Sequence, residues 1–349
     1  MSENSVKVAV VGASGYTGQE LLRLLINHPQ VDLVAVTSRQ EKGRPLTEVF
    51  PRFAAIPSIS DLAFIDADLD QIVASGATYA FLALPHGVAS EFAGPLVKRG
   101  LRVIDLSADY RISDPAVYED FYGLPHPDPE LLKSAVYGLG ETHAEAIKTA
   151  DLVASPGCYP TSILTPLIPL LQANCVDPQT ITIASMSGVS GAGKKADTSL
   201  LFAEVNESIR AYGAPKHRHL SEIEQELSRA AGDSVRVSFV PHLMPITAGI
   251  ATTIFADLKP GGAEKVATTL NDYYAESGFV RILGEGKFAD TKNVVRTNFI
   301  DIGWVVDPRT DRLILSSAED NLGKGAGAQA IQSMNLMCGW PETCGLLNV

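Results

Sequence analysis

Val6–Asn27 reads VKVAVVGASGYTGQELLRLLIN, an apolar run, three spaced glycines and a leucine-rich stretch. Val6–Val11 is a short apolar run ending at a glycine, the pattern of a buried strand. Gly18–Asn27 carries its leucines at helical spacing, and His28-Pro29 terminates it. Between them Gly12, Gly15 and Gly18 form a GxxGxxG turn. Such a turn brings backbone N–H groups up to a pyrophosphate at the start of a helix. A glycine triplet alone is a common turn; a strand before it and a helix after it make it a dinucleotide fingerprint. Gly12, Ser14, Gly15, Tyr16, Thr17 and Gly18 are therefore candidate cofactor contacts.

The same rhythm continues outward. Val31–Thr37, Tyr79–Leu84, Leu101–Leu106 and Leu152–Ala154 read as further buried strands, which implies right-handed crossovers and a parallel sheet. After the second strand the chain runs TSRQEKGRP. Ser38 and Arg39 stand where a site for NAD places an acid, so a 2′-phosphate and NADP are expected. From about residue 180 the texture changes. TITIASMSG, VRVSFVPHL, GIATTIFADL, TNFIDIGWVV and RLILSSAED alternate more strongly, with helical stretches at Leu220–Ala230 and Ala263–Ala275. That pattern predicts an α+β domain on a mostly antiparallel sheet. The Gly323–Cys338 segment is a glycine-rich entry followed by a helix.

Bulk properties narrow the function. A chain of 349 residues has room for two domains, and its net charge of −12 argues against a nucleic-acid or membrane-surface partner. The four cysteines form no CxxC pair, so neither a disulfide framework nor a zinc site is suggested. No apolar run is long enough to span a bilayer and no secretory leader is visible. A soluble protein of the cytoplasm with no metal is expected.

ASPGCYPTSILTPL (Ala154–Leu167) carries the chemistry. A strand ends, Pro156-Gly157 turns the chain, and Cys158 opens a helix with Pro160 in its first turn. The partial positive charge at a helix N-terminus favours thiolate, so Cys158 is a candidate nucleophile. A thiolate beside a nicotinamide suggests attack on an acyl carbon, a thioester, and its reduction to an aldehyde. The acid/base such chemistry needs is sought among the histidines. His217 and His219, in APKHRHLSEIEQEL, introduce a helix, whereas His28 reads as structural. SGVSGAGKK (Ser187–Lys195) nearly spells a phosphate loop, but Lys195 replaces the Ser or Thr that would hold magnesium. A glycine-rich loop near substrate or nicotinamide fits it better.

Taken together, VGASGYTGQELLRLL, SRQEKGRP, FLALPHG, VIDLSADYRI, VASPGCYPTSILTPLIP, SGVSGAGKKA and HRHLSEI resemble the N-acetyl-gamma-glutamyl-phosphate reductase family over essentially the whole chain. The resemblance implies reduction of N-acetyl-γ-glutamyl phosphate to the semialdehyde by NADPH, with release of phosphate, in arginine biosynthesis. It also implies the fold of aspartate-semialdehyde dehydrogenase. On that pattern a Rossmann-type domain spans 1–156, an α+β substrate and oligomerisation domain spans 157–320, and a C-terminal helix in 321–349 returns to the first domain. Cys158 becomes the acyl acceptor, and His219 or His217 the acid/base. Pro85, His86, Gly87, Ser187, Gly188 and Asn321 would border the cofactor. Arg111, Ser107, Tyr159, Gly191 and Lys194 would meet the substrate, Arg111 by bidentate recognition of its phosphate. A homodimer or homotetramer is implied. YGLGETH (Tyr137–His143) and KGAGAQAIQ near the end depart from the family's commoner runs by small-residue changes.

One nearby reading and two of other classes compete. Reduction of the one-carbon-longer acetyl-aminoadipyl phosphate differs by one methylene, worth only ~1–3 kcal/mol of discrimination. A Cys-His hydrolase would use Cys158 and His219 but leave Gly12, Gly15, Gly18 and Arg39 without a task. A non-catalytic NADP-binding protein would keep the glycine turn and need no thiol.

Overall fold

The computed structural model describes residues 5–347. The first sheet contains β1 (Val6–Val11), β2 (Val31–Thr37), β3 (Phe64–Ile65), β4 (Tyr79–Leu82), β5 (Arg102–Asp105), β6 (Val136–Tyr137) and β7 (Leu152–Ala154). Their order is β3-β2-β1-β4-β5-β7-β6, and every pairing is parallel. The order reverses between β1 and β4, and beyond the carboxyl ends of strands at such a reversal an open parallel sheet binds its ligand. Val8–Val11 are fully buried, as strands covered on both faces must be. The first helix, Tyr16–Leu25, buries Leu21, Leu22, Leu24 and Leu25 and pairs Glu20 with Arg23 on its outer side.

The second sheet contains β8 (Thr182–Gly188), β9 (Arg210–Ala211), β10 (Ser238–Met244), β11 (Ile250–Asp257), β12 (Val280–Glu285), β13 (Ile300–Asp307) and β14 (Arg312–Glu319). Their order is β12-β13-β14-β11-β8-β10-β9, with four antiparallel neighbours and two parallel ones. The expected mostly antiparallel sheet is present, with β9 and β12 the strands that sequence reading passed over. Gly284, with φ of +98°, lies at a break in the register of β12, which blurs its alternation. One face is covered by the Cys158–Gln172 helix, tied down where Ser162 Oγ meets Thr252 Oγ1 at 2.8 Å and Ser317 Oγ donates to the Ser162 carbonyl at 2.6 Å.

The chain forms two compact units. The first gathers the residues up to Ala116, Leu124–Pro156 and the segment from Ala326; the second holds Val117–Gly123 and Gly157–Gly325. The C-terminal helix, Ala328–Met337, belongs to the first unit. Gln329 Nε2 donates to the Gly138 carbonyl at 2.9 Å, and Asn335 Oδ1 lies 3.0 Å from His28 Nε2. His28 is thereby structural. The second unit runs to Gly325, which packs against Cys158 and Glu319 of the same unit.

Candidate active site

The first unit carries the nucleotide residues. Gly12 has φ of +83°, and a Cβ there would lie 2.4 Å from the Ala83 carbonyl oxygen, so only glycine fits where β1 passes β4. A Cβ at Gly18 would lie 2.7 Å from Ala13 Cα, so helix and strand touch at backbone distance. Gly15 is the N-cap and offers no side chain to the first N–H groups of the helix, which suits them to an anion. Thr37 Oγ1, missed in the sequence, steadies the turn by accepting the Gly12 N–H at 3.2 Å. Ser14 Oγ sits 3.0 Å from Ser38 Oγ, and Tyr16 and Thr17 open the helix beside them. The Arg39 side chain is 70% exposed and stands 4.0 Å from Glu91, an ion pair too loose and too wet to hold it. The cradle, the hydroxyl pair and the exposed guanidinium together fit a dinucleotide with a 2′-phosphate.

Pro85–Gly87 follows β4, at the same reversal in strand order. Its conformation is set by Asp109, whose carboxylate accepts the N–H of Gly87 at 2.7 Å and of Ser90 at 3.3 Å. His86 Nδ1 accepts the Ala108 N–H at 3.2 Å. Ser107 is committed to the same turn. Its hydroxyl donates to Asp105 at 2.7 Å and accepts the Asp109 N–H at 3.0 Å. Burial pushes the Asp105 carboxyl up to about 7, against the lowering effect of the Ser107 bonds. Arg111 is buried and donates to the Leu106 carbonyl at 2.8 Å.

The second unit carries the thiol. Gly157 is the N-cap and Cys158 the first residue of a helix running unbroken through Pro166 and Pro169 to Gln172. Tyr159, next in sequence, is buried, and its hydroxyl lies 2.8 Å from that of Tyr212. Around it the aromatic rings meet edge to face. His217 is 5.5 Å from Tyr159, 5.7 Å from Tyr212, 5.6 Å from Phe239 and 5.0 Å from His219. His219 in turn lies 5.9 Å from Tyr159. Tyr212 and Phe239 were not foreseen, because nothing in their local sequence marks them.

The two histidines differ. His217 Nδ1 accepts the His219 backbone N–H at 3.1 Å, so its proton sits on Nε2 and the ring is neutral. Burial, helped by the charge of Arg218, pushes its pKa down to about 4. Burial also holds the Tyr212 phenol up at about 12 and raises Tyr159, so both stay protonated. His219 begins the helix His219–Ala231, with its ring beside those of Tyr159 and His217.

Elsewhere in this unit the glycine-rich loop follows β8. A Cβ at Gly188 would lie 2.8 Å from the Thr247 and Ala248 backbone. Asn321, expected at the cofactor, brackets this loop: Nδ2 donates to Ser190 Oγ at 2.9 Å and Oδ1 accepts the Gly249 N–H at 2.7 Å. Ser187 Oγ donates to the Gly188 carbonyl at 3.2 Å. Gly191 and Lys194 lie on an exposed stretch. Gly325 has no room for a side chain, since its Cβ would fall 2.7 Å from Cys158 Cβ. Among the described residues no group of three or more His, Cys, Asp and Glu is arranged to hold a metal ion, and no helix is long and apolar enough to cross a membrane.

Comparison with known proteins agrees with this division. Residues 7–150 match the semialdehyde dehydrogenase NAD binding domain, and residues 158–321 the semialdehyde dehydrogenase dimerisation domain. Aspartate semialdehyde dehydrogenase II from Vibrio cholerae shares the fold with a TM-score of 0.70 at 17% identity, over 95% of this chain and 98% of that one. The Candida albicans aspartate semialdehyde dehydrogenase solved with NADP gives 0.67 at 15% identity, over 96% and 99%. At the sequence level, N-acetyl-gamma-glutamyl-phosphate reductase from Akkermansia muciniphila is 62% identical over 98% of both chains. The reductases of Geobacter metallireducens and Moorella thermoacetica are 49% and 46% identical over the same share. Identity at that level across both units, with a cysteine-headed helix and a glycine cradle in the expected places, makes this chain a member of the N-acetyl-gamma-glutamyl-phosphate reductase family.

Proposed function

We propose that the protein reduces N-acetyl-γ-glutamyl phosphate to N-acetylglutamate semialdehyde and phosphate, as a step of arginine biosynthesis in the cytoplasm. The observation that carries the reading is Cys158 at the head of its helix, next in sequence to Tyr159, whose ring meets those of His217 and His219. The Cys158 thiolate attacks the acyl carbon, the bond from that carbon to the phosphate oxygen breaks, and phosphate leaves. A thioester on Sγ remains. Bound NADPH supplies the hydride that reduces this acyl carbon. The carbon–sulfur bond then breaks, releasing the aldehyde and returning the thiolate.

His219 is the acid/base of this sequence. It takes the Cys158 proton before attack and steadies the developing oxyanion in the second half. His217 is unsuited to that task, because its Nδ1 lone pair is in use and protonation is opposed by burial. Its Nε2–H is instead a fixed donor for a polar group of the substrate. Gly12, Gly15 and Gly18 with Ser14 hold the pyrophosphate, and Ser38 with Arg39 the 2′-phosphate. Arg111 serves the substrate phosphate.

The chain self-associates as a dimer or tetramer through the second sheet. The face away from the Cys158 helix presents Ala184, Met186, Val240, Met244 and Phe255, all half-buried and none charged. A second copy would cover it, and Met186→Glu should yield monomers by light scattering.

The assay runs the reaction backwards. N-acetylglutamate semialdehyde, phosphate and NADP⁺ should give phosphate-dependent NADPH, and Cys158→Ala should give none. Full activity in that variant would refute the thioester.

A further inference from the structure

Two helices of the first unit start where the strand order reverses, Tyr16–Leu25 after β1 and Ser90–Lys98 after β4. The chain leading into the second touches the turn leading into the first. A Cβ at Gly12 would lie 2.4 Å from the Ala83 carbonyl oxygen and 3.0 Å from Leu84 Cδ2. The segment from Ala83 to Ala89 therefore packs on the nucleotide turn itself, at the place where an open parallel sheet receives its ligand.

The shape of that segment is fixed from outside it. Gly87 stands at φ of +78°, and Ala89, the N-cap, has no side chain to accept the first N–H groups of its helix. The acceptors come instead from Asp109, beyond β5. One carboxylate oxygen accepts the Gly87 N–H at 2.7 Å and the other the Ser90 N–H at 3.3 Å. A carboxylate at this helix N-terminus is also favoured by the helix dipole. Asp109 is itself immobilised. It is fully buried, its N–H donates to Ser107 Oγ at 3.0 Å, and its carbonyl accepts from His126 Nε2. His126 Nδ1 accepts the Asp128 N–H at 3.1 Å, so the ring proton sits on Nε2, facing the Asp109 carbonyl.

We propose that Asp109 is a positioning residue for the dinucleotide: its carboxylate holds the Ala83–Ala89 segment in the one conformation that receives NADPH. This rests on the dinucleotide lying at the reversal in strand order. Without the carboxylate the receptive conformation becomes one of several, and the apparent Kd rises by the inverse of its population. A population of about 1–10% raises it about 10–100-fold. Saturating cofactor selects the receptive conformation again, so kcat returns.

The test is Asp109→Ala in the full chain, with the Kd for NADPH from a fluorescence titration and kcat from the NADPH-forming assay at saturating NADP⁺. The expected result is a Kd raised about 10–100-fold with kcat within about threefold of the wild type. A merely structural carboxyl gives the opposite split, since partial unfolding removes active molecules and lowers kcat at unchanged Kd; that outcome overturns the proposal. So does an unchanged Kd. Asp109→Asn keeps one oxygen acceptor and should fall between, with a Kd raised about fivefold. An asparagine variant no better than the alanine one counts against the proposal, and if the alanine variant does not fold, the asparagine Kd decides. Gly18→Ala is titrated alongside. If it binds NADPH normally, the placement of the dinucleotide fails and the proposal with it. If it loses NADPH while both Asp109 variants keep the wild-type Kd, the role of Asp109 alone is refuted.

Discussion

Replacing Gly325 by alanine tests whether the thiol is held from the glycine-rich turn. The new methyl carbon would lie 2.7 Å from Cys158 Cβ, 3.1 Å from Cys158 Cα and 2.9 Å from Glu319 Oε1. Carbon atoms pack best at about 3.5–4.0 Å, so the shortfall is about 1 Å. Two of the three atoms cannot swing away, because Cα and Cβ of Cys158 move only with the start of its helix. Overpacking of this kind costs about 1–3 kcal/mol of stability. A displacement near 1 Å at a reacting group costs about 100-fold in rate. Gly325→Ala should therefore show kcat lowered about 100-fold in the NADPH-forming assay, while NADP binding stays within about twofold. Gly261→Ala is the control. It has φ of +72° and nothing within 4 Å, so it strains the backbone without crowding anything and should keep its kcat. Normal kcat in Gly325→Ala would mean that the turn yields at no cost to Cys158, and the argument from close approach would fall.

The other expectations concern the cofactor and the histidines. Gly18→Ala would set a Cβ 2.7 Å from Ala13 Cα and from the Gly12 carbonyl oxygen, and should abolish NADPH binding in a fluorescence titration. Arg39→Ala should raise the KM for NADPH about 10–100-fold, the loss of one charged hydrogen bond of about 1.5–3 kcal/mol, and leave activity with NADH unchanged. His217→Gln should keep the acid limb of the kcat/KM profile, whereas His219→Gln should lose it. His217 also predicts a stability effect. Its pKa lies at about 4 in the folded protein against 6.5 unperturbed, so the folded state prefers the neutral ring. The stability it contributes is complete above the unfolded value and is lost as pH falls from 6.5 towards 4. Urea melts across that window should show a slope in the wild type that flattens in His217→Gln.

The elements legible in the sequence were those whose pattern is written locally. β1, the first helix and the Cys158 helix each have an apolar period and a turn residue at the right place, and they stand where the pattern put them. The nucleotide cradle was legible for the same reason, since its glycines answer to contacts with the adjoining strands. Asp109, Thr37 and Tyr212 were not, because each acts across tens of residues on a partner that sequence spacing does not reveal. Ser107 and Asn321 have tasks in the fold that spacing does not reveal either: Ser107 bonds the Asp105 carboxylate and the Asp109 N–H, and Asn321 the Ser190 hydroxyl and the Gly249 N–H, so burial leaves none of these groups unsatisfied.

The sharpest limit lay between His217 and His219. As letters two residues apart they are equivalent, and no propensity separates them. What separates them is a hydrogen bond from the backbone of one to the ring of the other. Because His219 begins a helix, its N–H is among those with no partner within the helix. The His217 ring answers that need with Nδ1, much as a capping side chain does, and is thereby held in one tautomer. The cap therefore selects the chemistry. A ring fixed as a neutral donor suits recognition, and in the proposed mechanism the acid/base role falls to the neighbour whose backbone it caps. An imidazole that caps in this way cannot also relay protons through Nδ1, so exchanging the two roles would require undoing the first turn of the helix.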